Sequence, residues 1–412
     1  MKKRQSIYII LPTIAFVCCI GNITLLAQND TTHQKANTPK VEKKWYDQLF
    51  LRGYFQFRYN RLLETNDQLS CEQCDKSWGQ GGGFFMRRIR LVFSAQVSER
   101  VLVYIQPDFA SSPGNDRLNF GQLRDAYVDI GVDAKSEFRF RVGQSKIPYG
   151  FENLQSSQMR LPLDRADAIN SAILNERDLG ILFFWAPTAK RNLFRDLVNK
   201  GLKSSGDYGI AGIGIFNGQN ANNPDANKNT HIVGRISYPF FIKKQIVEIG
   251  VQGYTGKYTL NKSNLSTQVK YREDLTYTDQ RIASSFILYP QPFGLQAEYN
   301  IGVGPEFNKA TDSIETKPLR GGYVMVMLSC NIRQQHFMPF VRYQYYDGGK
   351  KHEKDARSYT INDVELGVEW QPTKYLELVA TYTIARRSFE DSSKPDNYQK
   401  GSLLRLQAQI SF

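Results

Sequence analysis

Apolar and polar residues alternate in run after run from Leu51 to the end of the chain. Phe138, Phe140 and Val142 interleave with Arg139, Arg141 and Gly143, the period-two pattern of a strand with one apolar face and one arginine face. LRGYFQFRYN sets Phe55, Phe57 and Tyr59 against Gln56 and Arg58, and MRRIRLVFSAQV sets Ile89, Leu91, Phe93 and Ala95 against Arg88, Arg90, Ser94 and Gln96. VLVYIQPDF and LRDAYVDIGV repeat the dyad. Further strands are predicted near 179–187, 207–217, 229–238, 245–257, 279–290, 293–303, 319–331, 335–346, 358–371, 374–386 and 401–412. With the first five they make sixteen, an even number, as single-chain bacterial outer-membrane barrels have.

An arginine face is costly in a dry core, where each unpaired charge is destabilising by several kcal/mol. It fits a wall with lipid on one side and water on the other. Connection lengths agree. Odd connections are long (61–85, 111–121, 147–178, 218–228, 258–278, 304–318, 347–357, 387–400), whereas even ones are tight turns such as Ser98-Glu99-Arg100, Gln291-Pro292 and Pro372-Thr373. Outer-membrane barrels sort their loops this way. The exception is 188–206, long enough to conceal a miscounted strand. LLRLQAQISF puts Leu404, Leu406, Ala408, Ile410 and Phe412 on one face and Arg405, Gln407 and Gln409 on the other. Tyr323–Cys330 is apolar on both faces, as expected of a strand packed against a neighbouring subunit or an inserted loop. The expected fold is therefore all-β, a 16-stranded antiparallel transmembrane β-barrel over residues 51–412.

Composition is consistent with that. Charged residues are 23% and mean hydropathy is −0.45, too polar after the first thirty residues for a membrane-spanning helix. A barrel spans at this hydropathy because only every second residue meets lipid. Residues 1–27 read as a secretory signal: Lys2, Lys3 and Arg4 precede an apolar run from Ile7 to Ile20, and Ala27 offers a cleavage site. Phe16-Val17 before Cys18 lacks the small residues of a lipid-attachment site. Residues 28–50 read as a polar periplasmic leader. Residues 1–27 carry three basic and no acidic residues, so the net charge falls from +13 to +10 on cleavage. For an exported chain, nucleic acid is not the expected partner; small anionic solutes and outer-membrane lipid and lipopolysaccharide are. Cys71 and Cys74 in CEQC read as a loop disulfide in preference to a redox pair or half a zinc site, because no second ligand pair or helix follows. No metal and no cofactor are expected.

Inward-facing charges are uneven around the wall. Arg58, Arg88, Arg90, Arg139 and Arg141, with Lys146 at the strand exit, make the early wall basic. Glu248, Glu298, Asp363, Glu365 and Glu369 make the later wall acidic, interrupted by Arg342 and Arg405. Opposed walls imply a transverse field, and guanidinium forks lower the barrier for anions. The alternative is that each arginine pairs with a carboxylate and only braces the barrel. The connection 147–178 combines Leu154, Leu161, Leu163, Ile169, Ile173 and Leu174 with Arg160, Asp164, Arg165 and Asp167. That composition suits a loop folded into the lumen; an outward lid or a subunit contact is the competing reading.

GQSKIPYGFE followed by ERDLGI, preceded by FMRRIRLVFSAQV, VLVYIQPDF and LRDAYVDIGV, resembles the phosphate-selective porin O and P family. The resemblance runs from about Arg52 to the C-terminus and is strongest over 84–186. It implies a homotrimeric porin of the bacterial outer membrane whose third long loop folds inward. By that resemblance 147–178 is the constriction loop, with Lys146, Arg160, Arg165 and Arg177 near the eyelet. The implied function is passive diffusion of small, preferentially anionic solutes such as phosphate or polyphosphate. A general diffusion porin and a loop-based adhesin are the alternatives. An enzyme is not expected: His33, His231, His336 and His352 show no serine and acid arrangement on a lipid-facing strand.

Overall fold

The computed structural model describes residues 48–62, 82–110, 120–393 and 397–412. The signal segment, almost all of the leader and the Cys71–Cys74 pair lie outside the described residues. The strands are β1 (Leu49–Leu62), β2 (Gly82–Ser98), β3 (Val101–Ala110), β4 (Phe120–Gly131), β5 (Phe138–Lys146) and β6 (Arg177–Trp185). Then come β7 (Ala211–Phe216), β8 (His231–Ile242), β9 (Gln245–Thr259), β10 (Thr276–Leu288) and β11 (Phe293–Asn308). The last are β12 (Ser313–Leu328), β13 (Cys330–Ile332), β14 (Gln335–Gly349), β15 (Ser358–Thr373), β16 (Leu376–Glu390) and β17 (Tyr398–Ser411). β12 and β13 follow each other along β14 and form one stave, which gives sixteen staves.

Each stave pairs antiparallel with the next, and β1 pairs with β17 to close the ring, with Tyr54 opposite Ser411 and Phe57 opposite Ala408. Phe412 extends the seam by exchanging two backbone hydrogen bonds with Gly53 (2.9 and 3.0 Å). Closure leaves no sheet edge, which a bilayer requires. All sixteen expected strands are present.

The dyad settles which face is which. Phe138, Phe140 and Val142 are about two-fifths exposed, while Arg139 and Arg141 between them are buried. β8 repeats this, with Ile232 and Ile236 exposed and Arg235 buried. Apolar residues point out on stave after stave, a band far larger than a soluble monomer exposes. Lipid is the solvent that makes it stable.

Two connections differ from expectation. Residues 188–206 hide no strand but carry a helix, α3 (Thr188–Asn199). The expected loop 304–318 shrinks to a four-residue tip, because Pro305 pairs with Thr316 and Glu306 with Glu315, so β11 and β12 run on past the turn-like Gly304-Pro305.

Candidate functional site

The third long connection contains two single-turn helices, α1 (Phe151–Leu154) and α2 (Asp167–Asn170). It touches the inner face of staves far apart around the ring. Leu161, Ala166 and Ile169 pack on Tyr323, Met325 and Met327 of β12 and Met338 and Phe340 of β14. This contact accounts for the strand that is apolar on both faces: Val324, Val326 and Leu328 point outward and the methionines meet the loop.

Charged anchors set the loop's position. Glu298 of β11 accepts from the backbone N–H groups of Phe151 (2.5 Å) and Glu152 (2.8 Å). Glu152 pairs with Arg342 of β14 at 2.8 Å. Asp167 pairs with Lys350 (2.6 Å) and Arg387 (3.2 Å), and Asp164 pairs with Arg58 (3.5 Å) and Arg405. Ser157 is hydrogen-bonded to Tyr54 and Arg90, both at 2.8 Å. Desolvation pushes the carboxyl of the partly buried Asp164 up, but Arg405 and Arg58 outweigh it and hold it well below the usual range. Glu176 behaves likewise between Arg165 and Arg177.

The residues of the acidic later wall lie among close polar partners. Every one of its five carboxylates is buried and locally satisfied. Glu248 meets Arg235 (3.2 Å), Ser237 and Tyr289, and Glu298 holds the loop backbone. Asp363 pairs with Arg387, Glu365 with Arg342 and Arg405, and Glu369 with Lys203 (2.6 Å). A buried carboxylate left unpaired would cost several kcal/mol, so these groups are spent on anchoring.

Several early-wall bases are braced in the same way. Arg90 pairs with Asp108 (2.8 Å), Arg139 with Asp207 (2.8 Å) and Arg141 with both oxygens of Asp129 (2.7 and 2.8 Å). Arg177 opens β6 rather than ending the loop, and grips Asp125 through two bonds of 2.9 Å. Arg165 meets Glu176 at 2.5 Å. Lys146 is different: it is buried, and its ammonium donates to the carbonyls of Leu154 (2.8 Å) and Gln155 (2.7 Å).

Arg88 and Arg160 stand apart from the braced arginines. Both are buried, and neither has a carboxylate within ion-pair distance among the described residues. Arg88 donates to Gln56 Oε1 at 2.9 Å, and Arg160 reaches the Leu163 carbonyl at 3.4 Å. Arg88 Nε and Arg160 Nε and Nη1 are buried and have no hydrogen-bond partner among the described residues. Burial, then the charge of Arg165, pulls the Arg160 guanidinium down to about 9. The two sit close: Arg88 holds Gln56, Gln56 donates to the Ser157 carbonyl (3.2 Å), and Arg160 follows three residues on. Buried guanidinium donors without partners are uncommon, because a buried donor left unpaired is costly.

Sequence reasoning singled out these bases but missed their partners Asp108, Asp125, Asp129 and Asp207, and missed Lys203 entirely. Asp129 was within reach, since it lies on the arginine-facing side of a strand directly before β5. Lys203 gives no local signal.

A family model described as phosphate-selective porin O and P matches residues 66–412. No curated protein matches the chain. Among solved structures, the outer membrane channel DcaP of Acinetobacter baumannii is similar at TM-score 0.55 and 13% identity, covering 88% of this chain and 97% of that one. OmpF of Salmonella typhi, solved with daunomycin, gives 0.54 and 13% over 88% and 97%. OprB of Pseudomonas putida gives 0.54 and 8% over 89% and 94%. At these identities the likeness shows the barrel fold alone.

Proposed function

The chain belongs to the phosphate-selective porin O and P family, and from that premise we propose that this outer-membrane diffusion channel prefers small oxyanions, with phosphate among them. The channel and its place in the bacterial outer membrane follow from family and fold. The anion preference rests on one observation, the buried pair Arg88 and Arg160, whose donors lack carboxylate partners among the described residues. The third long connection is the proposed constriction, since its contacts carry it to staves on the far side of the ring. Lys146 adds a further basic group whose hydrogen bonds, among the described residues, go to carbonyls.

A second reading, general diffusion without phosphate selectivity, is favoured by the extent of bracing at Arg90, Arg139, Arg141 and Arg177. The two readings separate in planar bilayers. Each lost guanidinium–oxyanion contact is worth about 1.5–3 kcal/mol, so Arg88→Gln or Arg160→Gln is expected to raise the phosphate concentration that half-blocks chloride current about tenfold or more. Equal block in wild type and both variants supports general diffusion. Export through residues 1–27, contact with lipid and lipopolysaccharide, and a homotrimer belong to the same proposal. Crosslinking in membranes that yields only monomers counts against the trimer.

A further inference from the structure

The β6–β7 connection lies on the short-turn rim, yet it does not stay there. Glu137, in the turn before β5, accepts from both the N–H (2.8 Å) and the hydroxyl (2.6 Å) of Thr188, placing a carboxylate on the first turn of α3. The helix buries Phe194 and Leu197 against Ile246, Ile287, Tyr289 and the loop residue Phe151. Gly201, at φ +67°, ends it: Gly201 N–H donates to the Val198 carbonyl and Leu202 N–H to the Leu197 carbonyl, both at 3.0 Å. This paired bonding turns the chain sharply after a helix.

The turn sends residues 202–206 across the barrel. Lys203 Nζ donates to both oxygens of Glu369 at 2.6 Å, and both side chains are buried. Glu369 is on β15, which stands eight staves from β6 in a ring of sixteen, on the opposite wall. Midway, Gln155 of the long loop donates to the Lys203 carbonyl at 2.5 Å. Burial pulls the Lys203 ammonium down, but Glu369 and Glu377 outweigh it and hold it above the usual lysine value, so Lys203 carries its charge at neutral pH. On one side of the strap the inner wall is covered by α3. On the other, a cavity of about 440 Å³ is bounded by Ser204, Ser205 and Gly206 and faced by Arg90, Tyr127 and Lys146.

We propose that residues 202–206 form a second constriction at the short-turn mouth, held across the lumen by Lys203 on Glu369, and that this strap sets a size limit independent of the long loop. Solutes leaving the loop then pass on the β1–β5 side. The inference rests on the channel reading but not on the anion preference; a wild-type barrel that conducts nothing breaks the former, and its ion preference bears only on the latter.

The test is single-channel conductance and exclusion of neutral polymers with Lys203→Met/Glu369→Met, which removes both charges together. Conductance is expected to rise at least twofold and larger polymers to enter. An intact, heat-modifiable barrel with unchanged conductance and cut-off overturns the strap. A second variant needs no latch to be broken: Ser205→Cys with Cys71, Cys74 and Cys330 changed to Ser, treated with a charged thiol reagent from the short-turn side. Labelling is expected to cut the current by at least half. Complete labelling without loss of current, or no labelling at all, contradicts the proposal.

Discussion

Glu152 and Arg342 are 190 positions apart in the chain, yet Glu152 Oε1 and Arg342 Nη1 meet at 2.8 Å. The second oxygen of Glu152 takes the Ala166 N–H at 2.7 Å, tying the two ends of the loop's bend to one carboxylate. Removing one partner of a buried pair costs about 3–5 kcal/mol. Arg342 keeps Glu365, so Glu152→Gln is expected near the low end, about 3 kcal/mol. The loop should loosen, and bilayer recordings should show frequent transitions to a larger conductance. A quiet channel with wild-type conductance contradicts this anchor.

Gly150 enters α1 at φ +81°, and a Cβ built there would sit 2.3 Å from Ile169 Cγ2. Gly150→Ala therefore meets both an unfavourable backbone and a clash inside the loop, a cost of about 1–3 kcal/mol. The temperature at which the barrel loses its heat-modifiable mobility is expected to fall. An unchanged temperature means that the loop relaxes freely.

Asp207 sits between Arg139 (2.8 Å) and Arg191 (2.9 Å) just before β7. Burial pushes its carboxyl up, but Arg139 and Arg191 outweigh burial and hold it below the ordinary value. A depressed carboxylate stabilises fully above the unfolded value of about 3.9, and that contribution is lost as pH falls through the folded value. Wild type should exceed Asp207→Asn in stability at neutral pH, and the gap should close below about pH 4. A gap that is constant with pH contradicts the pairing.

Much of the barrel is legible in the sequence because side-chain direction alternates along a strand. Phe138, Arg139, Phe140 and Arg141 declare which face meets lipid without reference to anything else. Partnership is another matter. Glu369 reads as an inward carboxylate, but the sequence does not reveal that Lys203, from a connection opposite it, covers that position. Pairing of the wall arginines with carboxylates is legible as a possibility, but which residues pair is not. The helix α3 left signals, Pro187 before Thr188, apolar Leu193, Phe194 and Leu197 at helical spacing, and Gly201 after the last turn. The length of 188–206 instead reads as room for a miscounted strand.

Arg88 and Arg160 carry the claim that oxyanions are favoured, and ion preference reads it without any substitution. The direct measurement is the reversal potential of the wild-type channel in a planar bilayer under a potassium chloride gradient, repeated with potassium phosphate. The account predicts a sign corresponding to anion preference in both salts. A sign corresponding to cation preference contradicts it, and leaves a barrel whose arginines serve only to hold its loops.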